Sequence, residues 1–288
     1  MSSSKKQNYN FKQFDTAFRA NLSTDDAKHI HKDLLNNAIA WQFDLFQKRT
    51  SLSKIDIHVS NVTKKQNGWE HPRTVISIIC PDMAFIVDSV IAALSDHGHL
   101  IESSVHPTLY ADEQKIHADS KKNIHPTAIF FIELTRRLTP EQIQTLQTDI
   151  TKVMHDVRDG TKHWKDIKKS VSDAKNGIEQ APHINHDDLN EYGEFISYIH
   201  DDNFTLLGCA SFTQNSKKKL VIDAESGLGF LSKPRQNEFL TTDDLDYIQA
   251  AFDTSDAPVI ISKSSIISPV HRRVPLDLVL IKQFDKNG

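Results

Sequence analysis

The sequence predicts an α+β fold: a ferredoxin-like domain of β-α-β-β-α order, extended at its front by a helix and a hairpin strand, then a second α+β domain. Three observations carry this prediction. Residues 73–80 form an apolar run that ends at Pro81-Asp82, where an amphipathic segment begins and runs to Gly98. Residues 100–110 and 127–134 are strand-like runs on either side of a polar loop. Thr139-Pro140-Glu141-Gln142 then opens a second helix with an N-cap, a proline at the first helical position and a capping-box glutamine.

Taken in order, residues 1–24 are polar at their start and are read as disordered or irregular. Residues 25–46 place Ile30, Leu34, Leu35, Ala38, Trp41 and Leu45 at helical spacing, so a long amphipathic helix is expected. Residues 55–59 alternate apolar and polar, a half-buried strand. Asn67-Gly68 marks a turn, and the run at 73–80 completes a hairpin. Asp82 is read as the N-cap of the next helix, with Ile86, Val87, Val90, Ile91 and Leu94 as its apolar face and Gly98 as its C′ glycine. His106-Pro107 interrupts the strand at 100–110, because proline has no N–H to give a ladder. Residues 112–123 read as a surface loop, and residues 127–134 as a strand buried on both faces. Ile143, Leu146, Ile150, Val153, Met154 and Val157 stripe the second helix.

From residue 159 to 187 the chain is charged and nearly free of apolar periodicity, so the first domain is placed at 25–176 and a linker at 177–187. The second domain, 188–288, opens with a helix striped by Leu189, Tyr192, Phe195, Ile196 and Ile199. Strands are expected at 204–212 and 220–223, a turn at Gly227-Leu-Gly-Phe230, and a helix capped by Thr242 that carries Leu245, Ile248 and Phe252. Strands at 259–262 and 276–284 follow, and Asp285-Lys-Asn-Gly288 reads as a turn at a cut rather than as the finished end of a domain.

Composition narrows the function classes. A 38% hydrophobic, 25% charged chain with formal net charge −4 and pI near 6.4 is that of a soluble globular protein and lacks the basic face of a nucleic-acid binder. The short basic run Lys217-Lys218-Lys219 is read as a solvated loop. Cys80 and Cys209 each stand alone in an apolar run, which fits small buried hydrophobes in a reducing compartment. No apolar run approaches the ~20 residues that span a bilayer, and the polar start carries no secretory pattern. The expectation is a cytoplasmic protein with neither membrane nor nucleic-acid partners.

Fifteen histidines make metal binding the first chemistry to weigh. His183, His186, Asp187 and Asp188 are the densest ligand-type cluster, but they fall before a helix, where capping by the aspartates is the simpler role. His29 and His31 point to different sides of their helix. There is no Gly-x-Ser-x-Gly elbow, and neither cysteine has a basic neighbour in sequence. Gly227-Leu-Gly lacks the third glycine of a dinucleotide fingerprint. No catalytic residue and no metal ligand is assigned. Two sites remain: Asp82, Met83 and Ala84, at a helix start that favours an anionic effector, and His271, Arg272 and Arg273, cations suited to an interface or an anion contact.

Several of these stretches carry a resemblance. Cys80-Pro-Asp-Met-Ala-Phe-Ile-Val-Asp-Ser-Val90, Val105-His-Pro-Thr-Leu109, Asp201-Asp-Asn-Phe-Thr-Leu-Leu-Gly208, Gly227-Leu-Gly-Phe-Leu231, and Val270-His-Arg272 with Ile281-Lys-Gln-Phe-Asp285 occur in one order. Together they resemble the N-terminal region of the large bacterial NAD-specific glutamate dehydrogenases. The resemblance implies ACT-like regulatory domains, a catalytic region and NAD site farther along the parent chain, no cofactor in this segment, and homo-oligomeric assembly. It leaves two alternatives open: a stand-alone ACT-like sensor of small molecules such as amino acids, or a ligand-free oligomerisation module. One departure is marked. Amino-acid-binding ACT domains place a glycine after the strand-end turn, whereas Met83, Ala84 and Phe85 stand here and crowd a ligand.

Overall fold

The computed structural model describes residues 9–112, 115–117, 124–178 and 184–284. The chain divides into two compact units, Met1–Met154 and His155–Gly288. The expected N-terminal disorder before residue 9, part of the loop at 112–123, His183, and the closing turn at 285–288 lie outside the described residues.

The first unit opens with α1 (Phe11–Ala20), whose Asn10 cap accepts from the Gln13 N–H at 3.2 Å. This helix occupies residues expected to be irregular. Phe14, Ala17 and Phe18 recur at helical spacing and are buried, so the segment has an apolar stripe of its own. The single helix expected at 25–46 is broken at Ile30-His31 into α2 (Thr24–His29) and α3 (Lys32–Gln47), and the His31 ring caps α3 through the Asp33 N–H.

Next come β1 (Asp56–Ser60), the short α4 (Lys64–Asn67) and β2 (Val75–Pro81), with β1 and β2 antiparallel as the hairpin reading requires. Gly68 ends α4 at φ 78°, a left-handed position that glycine takes without steric cost. After α5 (Ile86–Asp96), the chain forms β3 (Ile101–Val105), β4 (Thr108–Ala111), β5 (Ile116–His117) and β6 (His125–Leu134). α6 (Pro140–Thr161) opens on the expected capping box: Thr139 Oγ1 accepts from the Gln142 N–H at 3.3 Å, and Gln142 Oε1 from the Thr139 N–H at 3.0 Å.

The sheet runs β1-β2-β6-β4-β5, with β3 also on β6 and every pair antiparallel. Thus β6 lies between β2 and β3–β4, which is the split arrangement of a ferredoxin-like sheet; β1 takes the edge beside β2. Proline at 107 does not break the register. Val105 faces Phe131 and Thr108 faces Ala128, while the Pro107 carbonyl still accepts from the Ile129 N–H at 3.0 Å.

The two sheet faces follow from this register. Val75, Ile79, Ile129, Phe131, Val105 and Leu109 point one way and share a core with α1 and α3, including Phe14, Phe18, Ala38, Ile39 and Phe46. Gln42 of α3 is fully buried there. It donates to the Phe130 carbonyl at 2.7 Å and accepts from Ser77 Oγ at 2.6 Å, so a polar group in the core is matched on both ends. Ile76, Ile78, Cys80, Phe130 and Ile132 point the other way and are equally buried. α5 and α6 lie on this side and are tied to each other by His97 Nε2 and Asp149 Oδ2 at 2.9 Å.

The division between the two compact units falls within α6. In the second unit, α7 (Trp164–Ile178) and α8 (His186–Tyr198) pack Val171, Ile178, Ile196 and Ile199 into a small core with Val259. α8 is capped by Asn185, whose Oδ1 accepts from the Asp188 N–H at 3.0 Å, rather than by the aspartates. A π-turn at Ile199–Asn203 ends α8, with Asp202 left-handed at φ 63° and held by Lys168 Nζ at 3.0 Å. This is a conformation that aspartate tolerates better than most residues, which gives Asp201-Asp202-Asn203 a structural role.

The single strand expected at 204–212 is instead β7 (Gly208–Cys209) and β8 (Phe212–Gln214). Then follow β9 (Leu220–Ile222), β10 (Leu228–Gly229), α9 (Gln236–Phe239), α10 (Thr242–Thr254), β11 (Val259–Ile267) and β12 (Pro275–Ile281). Thr241, not Thr242, caps α10 in a capping box with Asp244. Among the described residues these strands form three two-stranded sheets: β7–β10, β8–β9 and β11–β12. Arg235 knits the unit's interior: its guanidinium reaches Asp156 Oδ1 at 2.6 Å and Asp159 Oδ2 at 2.9 Å and lies over the Phe239 ring.

Candidate functional site

The strand-to-helix turn after β2 is where sequence reasoning placed the effector site. β2 delivers the turn at a fixed height, because Asp82 N–H donates to the Pro126 carbonyl at 3.0 Å and so continues the β2–β6 ladder by one residue. Asp82 is not the N-cap. Three residues separate it from the helix, and the last of them, Phe85, occupies the cap position without a side-chain cap hydrogen bond. Phe85 is left-handed, at φ 67° and ψ 9°. For a bulky residue that backbone is strained by about 1–3 kcal/mol, and such strain concentrates at ligand sites and switch regions. The other end of α5 closes as expected: Gly98 at φ 65° lets its N–H reach the Ser95 carbonyl and the His99 N–H reach the Leu94 carbonyl, both at 2.9 Å.

A cavity of about 260 Å³ opens beside this turn. Asp82 and Met83 line it; Ala84 does not. The wall is completed by Phe85 and the first turn of α5, and by Thr108, Ala128, Phe130 and His106 from the sheet. Period-2 alternation brings His106 and Thr108 to the same face as Phe130, and the His106 ring stacks on Phe130 with centroids 5.7 Å apart. The sequence signal for these residues was the His106-Pro107 interruption, which could be read only as a break until the register placed it beside the helix start. Phe85 walls the cavity and leaves it open, so the crowding expected from this residue does not fill the site.

The electrostatics are mixed. The positive end of α5 faces the cavity, but Asp82 and Asp88 put two carboxylates at its lining. Burial raises the Asp82 carboxyl, partly offset by a hydrogen bond from the Met83 N–H, so the charge here is one that a protonated amine on a ligand would stabilise. The arrangement suits a small molecule with both an anionic and a cationic end better than a simple anion.

His271, Arg272 and Arg273 belong to the second unit. They lie in the β11–β12 connection, where Arg273 Nη1 donates to the Ser268 carbonyl at 3.2 Å and Ser268 N–H donates to the Val274 carbonyl at 2.8 Å. His271 is left-handed at φ 64°, and Arg272 is exposed. The group is therefore a structured turn that offers one guanidinium to solvent.

Among the described residues no cluster of three metal-ligating side chains occurs, and no helix is long and apolar enough to cross a membrane. Burial pushes the Cys80 thiol up to about 12, so it is a packing group and not a thiolate.

Residues 14–150 match the family model described as glutamate dehydrogenase, ACT1 domain. Over 247 residues the chain is 24% identical to the NAD-specific glutamate dehydrogenase of Pseudomonas aeruginosa PAO1, a match that covers 81% of this chain and 15% of that protein. The NAD-specific glutamate dehydrogenase of Halomonas elongata is 25% identical over the same length and with the same coverage. The chain thus spans about 15% of the length of the curated relatives it matches. No solved structure matches it significantly. The resemblance read from the motifs is borne out.

Proposed function

We infer that this chain, whose residues 14–150 carry a glutamate dehydrogenase ACT1 domain, is the N-terminal regulatory and assembly segment of an NAD-dependent glutamate dehydrogenase. In this reading the parent enzyme oxidises glutamate with NAD and water to 2-oxoglutarate, ammonium and NADH in a catalytic region elsewhere in the same polypeptide. The match of residues 14–150 to the ACT1 family model is the observation that carries it. The cavity beside Asp82 is the place for an effector, and a zwitterionic amino acid fits its mixed lining: the carboxylate toward the start of α5, the ammonium toward Asp82 and Asp88. Such a ligand regulates only if it binds two conformations of the protein differently; the strained Phe85 turn is the element poised to differ.

The test uses the whole protein, intact and with residues 1–288 deleted. Glutamate-saturation curves of NADH formation, sedimentation, and calorimetry with the standard amino acids and adenine nucleotides are measured for both. Loss of the amino-acid response or of the oligomer on deletion supports the reading. A reading frame without a catalytic region, or identical behaviour of the two proteins, overturns it. An Ala128→Leu variant, which fills the cavity from the sheet side, is expected to abolish the calorimetric signal at this site. Binding by a protein without a catalytic region favours the stand-alone sensor, and assembly with no ligand heat favours the oligomerisation module.

A further inference from the structure

The C-terminal end of α5, the start of β3 and the end of β6 meet at a corner that carries two histidines, His97 and His99, on either side of the left-handed Gly98. Backbone bonds close the corner. The His99 N–H donates to the Leu94 carbonyl at 2.9 Å, and the Thr135 N–H, just past β6, donates to the Leu100 carbonyl at 3.0 Å. His99 is buried although the residues on both sides of it are exposed, and Arg136 Nη2 lies 3.4 Å from its Nδ1. A guanidinium has donors only, so Nδ1 is the acceptor and the ring is neutral, with its proton on Nε2. The His97 ring lies nearly parallel to it, with centroids 6.0 Å apart and 19° between the planes.

The charges here are ill-suited to a second proton. Asp149 of α6 lies 2.9 Å from His97 Nε2, whereas His99 faces Arg136. Neighbouring charges on the same elements are engaged: Glu102 of β3 with Arg73, Arg137 with the His71 carbonyl, and Asp96 and Lys152 in contacts of their own. A proton on His99 Nδ1 would turn a hydrogen bond into two donors face to face and set a buried cation beside Arg136. Burial, then Arg136, then His97 hold the His99 ring below the ordinary histidine value.

We propose that His99 is a proton-sensitive latch at the C-terminal end of α5: neutral, it accepts from Arg136 and holds the α5–β3 corner closed; protonated, it releases that corner. Folding disfavours the proton, so the latch's contribution is complete above about pH 6.5 and is lost as pH falls through the folded-state value. The first turn of α5 lines the Asp82 cavity, so the latch sits at the far end of the helix that borders it. It stands whether or not that cavity takes a ligand.

Hydrogen exchange of the full chain at pH 7.5 and 5.5, corrected for intrinsic rates, tests it. Protection of the Gly98, His99 and Thr135 amides is expected to fall about tenfold at the lower pH. The Asp82 amide, bonded to the Pro126 carbonyl in the sheet, is expected to keep its protection. His99→Gln retains an acceptor for Arg136 but takes no proton, and is expected to hold the corner's protection level between the two pH values. Arg136→Met, at an exposed position, keeps the stem and removes the cation, and is expected to shrink the fall. Nitrogen NMR of the imidazole rings at the higher pH is expected to show His99 as the Nε2–H tautomer. No fall in the wild type, an equal fall in either variant, or an Nδ1–H tautomer at His99 overturns the proposal. If His99→Gln does not fold, the Arg136→Met comparison and the tautomer decide it.

Discussion

At the scale of single residues, Glu133 is the most consequential group in the first unit. Burial alone would raise its carboxyl, but hydrogen bonds from Arg73, Ser103 and His71 outweigh that and hold it below the ordinary carboxylate range. A carboxyl whose folded-state pKa is depressed contributes stability that is fully present above its unfolded value and is lost as pH falls through the folded value. The first unit is therefore expected to lose this contribution below about pH 4.5, the ordinary value for glutamate. Glu133→Gln keeps the shape, removes the charge and leaves Arg73 without its buried partner. Urea unfolding followed across pH 3–7 should show the variant less stable at neutral pH by about 2 kcal/mol, the scale of hydrogen bonds to a charged group. The difference should shrink in acid. An equal acid dependence in the two proteins would show that the network contributes nothing through its charge.

At the scale of elements, the Gly227-Leu-Gly-Phe230 segment shows why a motif can be specific without being a ligand site. Gly229 is left-handed at φ 59°, and a Cβ there would come within 2.2 Å of the Leu207 carbonyl oxygen; at Gly227 it would come within 2.1 Å of the Leu231 carbonyl oxygen. Both glycines let β10 approach neighbouring backbone while it pairs with β7, and the Gly229 N–H donates to His163 Nδ1 at 3.1 Å. Gly229→Ala is expected to cost about 1 kcal/mol through its backbone conformation and more through the overlap with a carbonyl that cannot swing away. Thermal unfolding of the variant checks this; an unchanged midpoint would mean that β10 is not fixed. The same contrast explains what could be read from the sequence. β2, β6, α5 and α6 were legible because apolar periodicity over a whole element depends on burial alone. α1 was not, because Phe14, Ala17 and Phe18 sit in a polar stretch and their stripe gains meaning only against α3. The N-cap was misplaced at Asp82 because a left-handed Phe85 is a choice made by tertiary packing, which no local preference announces. For the cavity beside Asp82, Asp82 and Met83 were legible from the turn, whereas His106, Thr108 and Phe130 needed the strand register.

At the scale of the whole molecule, the two units differ in how completely they cover their apolar surface. Among the described residues, the large exposed apolar side chains of the first unit are Phe11, Ile91 and Leu100; the rest, including Tyr198, Val221, Phe252, Ile261, Ile267 and Val274, belong to the second. The second unit also has its strands in pairs, so β11 and β12 each keep an edge that no other described strand covers. A two-stranded sheet is marginal by itself, and an open edge beside exposed isoleucine is a surface that pairs with another chain. Ile261 and Ile267 are about half exposed on β11, at 55% and 50%. We propose the β11–β12 hairpin, with Arg272 exposed at its connecting turn, as the surface that would carry an assembly role. The double variant Ile261→Glu, Ile267→Glu replaces apolar contacts with like charges while leaving the small core around Val259 intact. In sedimentation of the full-length protein it is expected to shift the oligomer to a smaller species, with the native circular-dichroism spectrum retained. A folded variant that keeps the wild-type sedimentation coefficient would remove this hairpin from the interface.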